Sequence, residues 1–203
     1  MILLGLLTVS CSKDKEPTAA VPYSYAADNP YAPAGPGRDD AQTNANVAAG
    51  ALEITLTDSK GQPIDLKKYR GQKNIVLVVM RGYPGYVCPN CSAQTSRLIR
   101  HYSEITARDA EVLVVFPGPS EHLKDFVSVS QNQAANAEVP FPVLLDEKFT
   151  LVDRLGIRGN LAKPSTYILD KQGDVRFAFV GATSADRPSV KALLQQLDAI
   201  PKS

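Results

Sequence analysis

The chain has 203 residues, with 22 basic against 21 acidic side chains, a formal charge of +1 and an apolar content of 44%. That length holds one large domain or two small ones around a real core, and a balanced charge without single-sign blocks argues for no nucleic acid among the partners. Three cysteines are too few for a disulfide-stapled scaffold. A metal cluster would want more ligands than these cysteines with His101 and His122, so the inventory fits a redox pair plus one odd cysteine, with no cofactor.

Residues 2–9 read Ile-Leu-Leu-Gly-Leu-Leu-Thr-Val. This run is far short of the roughly 20 apolar residues that span a bilayer, but it suits the apolar core of a secretory signal. Ser10 and Cys11 follow, and residues 1–10 resemble a bacterial lipoprotein signal. The resemblance implies lipidation of Cys11 and a cell-envelope protein held at a membrane by its lipid anchor. The match departs in two places: the usual Leu sits one residue too far back, and no Lys or Arg precedes the apolar run. From Ser12 to Gly50 the chain is rich in Ala, Pro, Gly, Asn and Asp without apolar periodicity. Such composition buries too little surface to offset ordering entropy. Residues 11–50 are therefore expected to form a disordered tether reaching about 30–35 Å, and residues 51–203 the folded domain.

Within that domain Leu52–Thr57 alternates like a strand and Asp58-Ser59-Lys60-Gly61 reads as a turn. Ile75–Met80 is a continuous apolar run, as expected of a strand buried on both faces. After the cysteines, Leu98, Tyr102 and Ile105 recur at helical spacing. Glu111–Phe116 is a second buried strand, stopped by Pro117-Gly118-Pro119, and Ser120 is placed to cap a helix presenting Leu123, Phe126 and Val127. Pro142–Leu145 is a short strand and Phe149–Leu155 a short helix ended by Gly156. Thr166–Leu169 and Val175–Val180 flank a hairpin turn at Asp170–Asp174. Val190, Leu193, Leu194 and Leu197 mark a final amphipathic helix before Pro201. Buried strands alternating with helices predict an α/β domain, its sheet covered on both faces.

The chemistry concentrates in Arg81-Gly82-Tyr83-Pro84-Gly85-Tyr86-Val87-Cys88-Pro89-Asn90-Cys91, at the junction of a buried strand and a helix. Pro89 fits the first helical position, where its missing N–H costs nothing. That puts Cys88 at the N-cap, expected to be exposed, and Cys91 in the first turn, expected to be more buried. Unpaired N–H groups and the helix dipole at such a site lower a thiol pKa. Cys88 is accordingly expected to attack and Cys91 to resolve the mixed disulfide. Arg81 either brings positive charge towards Cys88 or is a surface residue. Gln94, on the face of Cys91, is expected only to pack, and His101 and His122 to be solvated.

With the strand Lys163-Pro164-Ser165-Thr166-Tyr167-Ile168-Leu169-Asp170 and the closing hairpin and helix, residues 50–200 resemble the redoxin branch of the thioredoxin fold, which includes the alkyl hydroperoxide reductase/thiol-specific antioxidant proteins. The resemblance implies a three-layer sandwich, a central mixed sheet with helices on both faces, and a thiol-based oxidoreductase in redox homeostasis. Peroxiredoxins carry Pro-x-x-x-Thr/Ser-x-x-Cys. Counted without gaps from the preceding strand, Cys88 falls on their peroxidatic cysteine, but Arg81 and Gly85 then occupy the Pro and Thr positions. Shifted by three, Pro84 and Cys91 match, and Cys88 takes the Thr position. The peroxiredoxin Arg before the Thr166 strand is here Pro164, which resembles the cis proline of thioredoxins and implies a strand-like docking edge for a substrate.

The leading expectation is a Cys-x-x-Cys thiol–disulfide oxidoreductase acting on protein disulfides or thiols. The alternative is a thiol peroxidase acting on small hydroperoxides through a sulfenic acid. Either would draw on a thioredoxin-like reducing donor. A third reading is a non-enzymatic envelope module that binds a protein or holds Cu(I) between Cys88 and Cys91.

Overall fold

The computed structural model describes residues 35–201; the leader and Cys11 lie outside the described residues. Seven strands form one mixed sheet: β1 (Thr55–Asp58), β2 (Pro63–Asp65), β3 (Asn74–Val79), β4 (Ala110–Pro117), β5 (Val143–Asp146), β6 (Ser165–Leu169) and β7 (Val175–Val180). Their order is β2-β1-β5-β4-β3-β6-β7. The helices are α1 (Pro89–Arg100), α2 (Tyr102–Thr106), α3 (Leu123–Gln133), α4 (Thr150–Arg154) and α5 (Val190–Asp198). Strands β3, β4 and β5 run parallel, β6 pairs antiparallel with β3, and β7 pairs antiparallel with β6 at the edge.

The apolar runs explain the layering. Every residue of β3 is buried, because side chains alternate between two covered faces. Val76 and Val78 pack with Leu98 of α1, Phe126 of α3 and Leu193 of α5. Ile75, Leu77 and Val79 pack on the opposite face with Leu66 and with Leu151 and Val152 of α4. This is the expected three-layer sandwich, with most of its helix on one face.

Local departures have local causes. Ile54 bonds back to the carbonyl of Leu52 at 3.1 Å, so the first strand starts at Thr55 although the alternation begins earlier. Ser120 opens a single 3-10 turn without capping it, and His122 stands at the N-cap of α3. Composition places the start of the folded domain at residue 51, but residues before it also pair with the domain. Asn44 docks on β7 through its backbone N–H to the carbonyl of Ala178 at 2.9 Å. Its side chain exchanges two further bonds with Val180, at 2.8 and 3.0 Å. Ala41 is 1% exposed, within the core that holds the cysteines. Residues 37–47 therefore belong to the folded domain.

Candidate active site

Strand β3 runs into Met80 and Arg81, after which the chain turns sharply. Gly82 makes the turn possible: its φ is +97°, and a Cβ there would lie 2.6 Å from the carbonyl oxygen of Pro117. The loop then passes the half-buried Pro84 and enters α1 with Cys88 at the N-cap and Pro89 at N1, as the sequence predicts. Cys91 falls in the first turn. The backbone N–H and the hydroxyl of Ser92 both donate to the Cys88 carbonyl, at 3.0 and 3.2 Å.

Cys91 is the more buried of the pair, as expected, but Cys88 is buried rather than exposed. Cys88 is 4% and Cys91 1% exposed, and both are free thiols. They sit in the core cluster with Met80, Phe116 and Leu123, against which Tyr83 and Val87 also pack. The ring of Tyr83 stacks on His122 at 3.6 Å between centroids, and His101 pairs with Glu104 at 2.6 Å. Neither histidine joins the sulfurs. Among the described residues, no group of three or more His, Cys, Asp or Glu side chains comes together as metal ligands.

The decisive residue is one the sequence does not mark. Arg187, from the loop between β7 and α5, is 2% exposed. Its Nη2 donates to Cys91 Sγ at 3.3 Å. Nη1 donates to Gln94 Oε1 at 2.5 Å and approaches Met80 Sδ at 3.7 Å, and Nε donates to the Ser184 carbonyl at 2.9 Å. None of these acceptors is a carboxylate. A buried guanidinium is stabilised by a counter-charge, and the Cys91 sulfur supplies one at 3.3 Å when ionised. Gln94 is thus more than packing, because it orients the arginine.

The two thiols are split in opposite directions. Burial pushes Cys91 up, but it is outweighed by the hydrogen bond from Cys88, the Arg187 charge and the backbone N–H of Arg81, which together lower it to about 6. Cys88 is pushed up by its hydrogen bond to Cys91, then by burial and the neighbouring thiolate charge. The favoured state is a Cys91 thiolate accepting from a Cys88 thiol, the reverse of the order expected from helix position. Both sulfurs feel the Arg187 charge and a backbone N–H, but only Cys91 also accepts from the guanidinium itself and from the other thiol. Arg81 serves through its backbone.

The remaining expected site residues sort plainly. Thr166 is buried, and β6 pairs it with Val78. Pro164 is not cis: there is no cis peptide bond among the described residues. Its neighbours are already paired within the chain, Lys163 N–H to the Ile157 carbonyl and the Pro164 carbonyl to Gly181 N–H, both at 2.8 Å. A trans bond serves this extended entry into β6, and the edge expected to receive a substrate strand is occupied.

Fold and site together define the class. The AhpC/TSA family model matches residues 47–178, and the chain belongs to that family, the thiol-based oxidoreductases that the cysteine loop resembles. It is 30% identical over 130 residues to the chloroplastic peroxiredoxin Q of Sedum lineare, covering 62% of this chain and 64% of that protein. It is 28% identical over 138 residues to alkyl hydroperoxide reductase E of Mycobacterium tuberculosis, covering 66% of this chain and 84% of that protein. The peroxidoxin BcpB of Mycobacterium tuberculosis superposes with a TM-score of 0.62 at 21% identity, covering 80% of this chain and all of that one.

Proposed function

We propose that the chain is a thiol peroxidase in which Cys91 attacks a hydroperoxide and Cys88 resolves the product. The observation that carries this reading is the contact of Arg187 with Cys91 Sγ at 3.3 Å inside a closed core. Pro84, Cys88 and Cys91 fall on the three-residue-shifted register of the peroxiredoxin motif, with a thiol in place of the Thr hydroxyl. Burial favours a small oxidant: a hydroperoxide presents a slim O–O bond, whereas a protein disulfide brings two chains to sulfurs that are 4% and 1% exposed.

The electrons and protons balance within the pair. The Cys91 thiolate takes the terminal OH of ROOH, breaking the O–O bond and becoming a sulfenic acid. The departing alkoxide takes the Cys88 proton and leaves as ROH. Oxidation of Cys91 removes the hydrogen bond and the charge that push Cys88 up, leaving burial opposed by the Arg187 charge and the Cys91 N–H, and the Cys88 thiolate left by the proton transfer is the nucleophile. It attacks Cys91 sulfur and expels hydroxide, forming a disulfide. A thioredoxin-like dithiol would supply the two electrons that restore the pair.

Stopped-flow oxidation of the reduced protein by peroxide, run beside an insulin-reduction assay, tests the reading. Oxidation orders of magnitude faster than a free thiol supports it; a free-thiol rate with robust insulin reduction selects disulfide exchange instead. The proposal places the domain at an envelope membrane through acylated Cys11. Fatty-acid labelling that persists in Cys11→Ser would remove that anchor.

A further inference from the structure

The family match ends at residue 178 and starts at 47, so both Arg187 and the segment packed against its loop lie outside it. We propose that the strap Gly37–Asn44 is part of the reaction centre, with Gly37 and Arg38 acting as positioning residues that hold the Arg187 guanidinium against Cys91.

The contacts run through the backbone of Arg187 itself. Arg38 N–H donates to the Arg187 carbonyl at 2.8 Å, and Ser189 N–H donates to the Arg38 carbonyl at 2.9 Å. Arg38 and Pro188 thereby form a parallel bridge. Only glycine permits this approach at position 37, where φ is +91° and a Cβ would stand 2.9 Å from Pro188 O and Ser189 N. Asp39 secures the far side of the loop, accepting from the Ser189 hydroxyl at 2.6 Å and Lys191 Nζ at 3.0 Å. That hydroxyl in turn accepts from Ala192 N–H at 3.1 Å and caps α5. On the near side, Arg38 reaches Asp186 at 3.5 Å, and Asp186 accepts from Ala182 N–H at 2.9 Å. The arginine is therefore gripped from two directions. Gln94, Met80, Ser184 and Cys91 fix its head, and the strap fixes its main chain. The hydrogen bond from the guanidinium to the sulfur holds only at short range, so a small shift of residues 186–189 weakens the pair.

The kinetic consequence rests on the peroxidase reading, but the test does not. In the full chain, Gly37→Val should raise the midpoint of the thiolate ultraviolet titration by about one unit, the size of effect a neighbouring charge exerts, with circular dichroism unchanged. In an Arg187→Gln background the same substitution should add nothing, because its action passes through the guanidinium. Gly37→Ala, a single added carbon, is the milder variant should Gly37→Val not fold. An unmoved midpoint in the folded variant, or an equal shift in both backgrounds, overturns the strap's role. A normal titration response together with a free-thiol peroxide rate in the unsubstituted protein would overturn the peroxidase reading and leave the strap standing.

Discussion

Arg187 places Nη2 3.3 Å from Cys91 Sγ although the two residues are 96 positions apart in the chain. With the hydrogen bond from Cys88 and the backbone N–H of Arg81, this long-range contact lowers the pKa of the second cysteine of the pair. It also explains how a thiolate survives in a core that excludes water: desolvation alone would drive it to the neutral form.

The pH dependence of peroxide oxidation follows. Cys91, lowered to about 6, is protonated below that pH and charged above it. The rate should climb through about pH 6 and level off by neutrality. In Arg187→Gln, which keeps the Cys88 hydrogen bond and the Arg81 N–H, the midpoint should move up by about two units, cutting the neutral-pH rate about 10-fold through lost thiolate. Stopped-flow rates across pH check both curves.

Gln94 accepts from the same guanidinium at 2.5 Å without carrying charge, so it orients the arginine without offering a competing anion. Gln94→Glu should draw the arginine towards its carboxylate and raise the Cys91 midpoint by about one unit. Gln94→Leu should instead cost about 1–3 kcal/mol of stability by stranding a buried donor. Thiolate titration and chemical denaturation separate the two effects.

A structural contrast comes from Asp146, whose carboxylate accepts the N–H groups of Thr150, Leu151 and Val152 at 2.6, 3.0 and 3.1 Å and so caps α4. Asp146→Ala should destabilise the domain by about 2 kcal/mol. The Cys91 titration midpoint should stay where it is, because α4 packs on the other face of the sheet.

Much of the architecture was legible because its signals are local. Apolar runs such as Ile75–Met80 and the hairpin turn at Asp170–Asp174 report burial and reversal directly, and Pro89 marks the start of α1. The polarity of the dithiol was not legible. It depends on Arg187, a lone arginine in Ala185-Asp186-Arg187-Pro188-Ser189 with no periodicity or spacing to tie it to Cys91. Helix-terminus reasoning alone favoured Cys88 and had no way to weigh a guanidinium arriving from the far end of the chain. The strap was hidden for a related reason. Gly37 to Asn44 is polar and aperiodic, and it is ordered by backbone pairing to β7 and Arg187 rather than by a hydrophobic face of its own. Pro164 misled because proline before a strand reads the same whether its bond is cis or trans.

The central claim is that Cys91 is the sulfur that peroxide oxidises. One equivalent of hydroperoxide, a sulfenic-acid trapping reagent and mass spectrometry on Cys88→Ser and Cys91→Ser test it most directly. Cys88→Ser should consume peroxide quickly and carry the trapped adduct on Cys91, while Cys91→Ser should react no faster than a free thiol. Rapid consumption by Cys91→Ser, with the adduct on Cys88, would contradict the account.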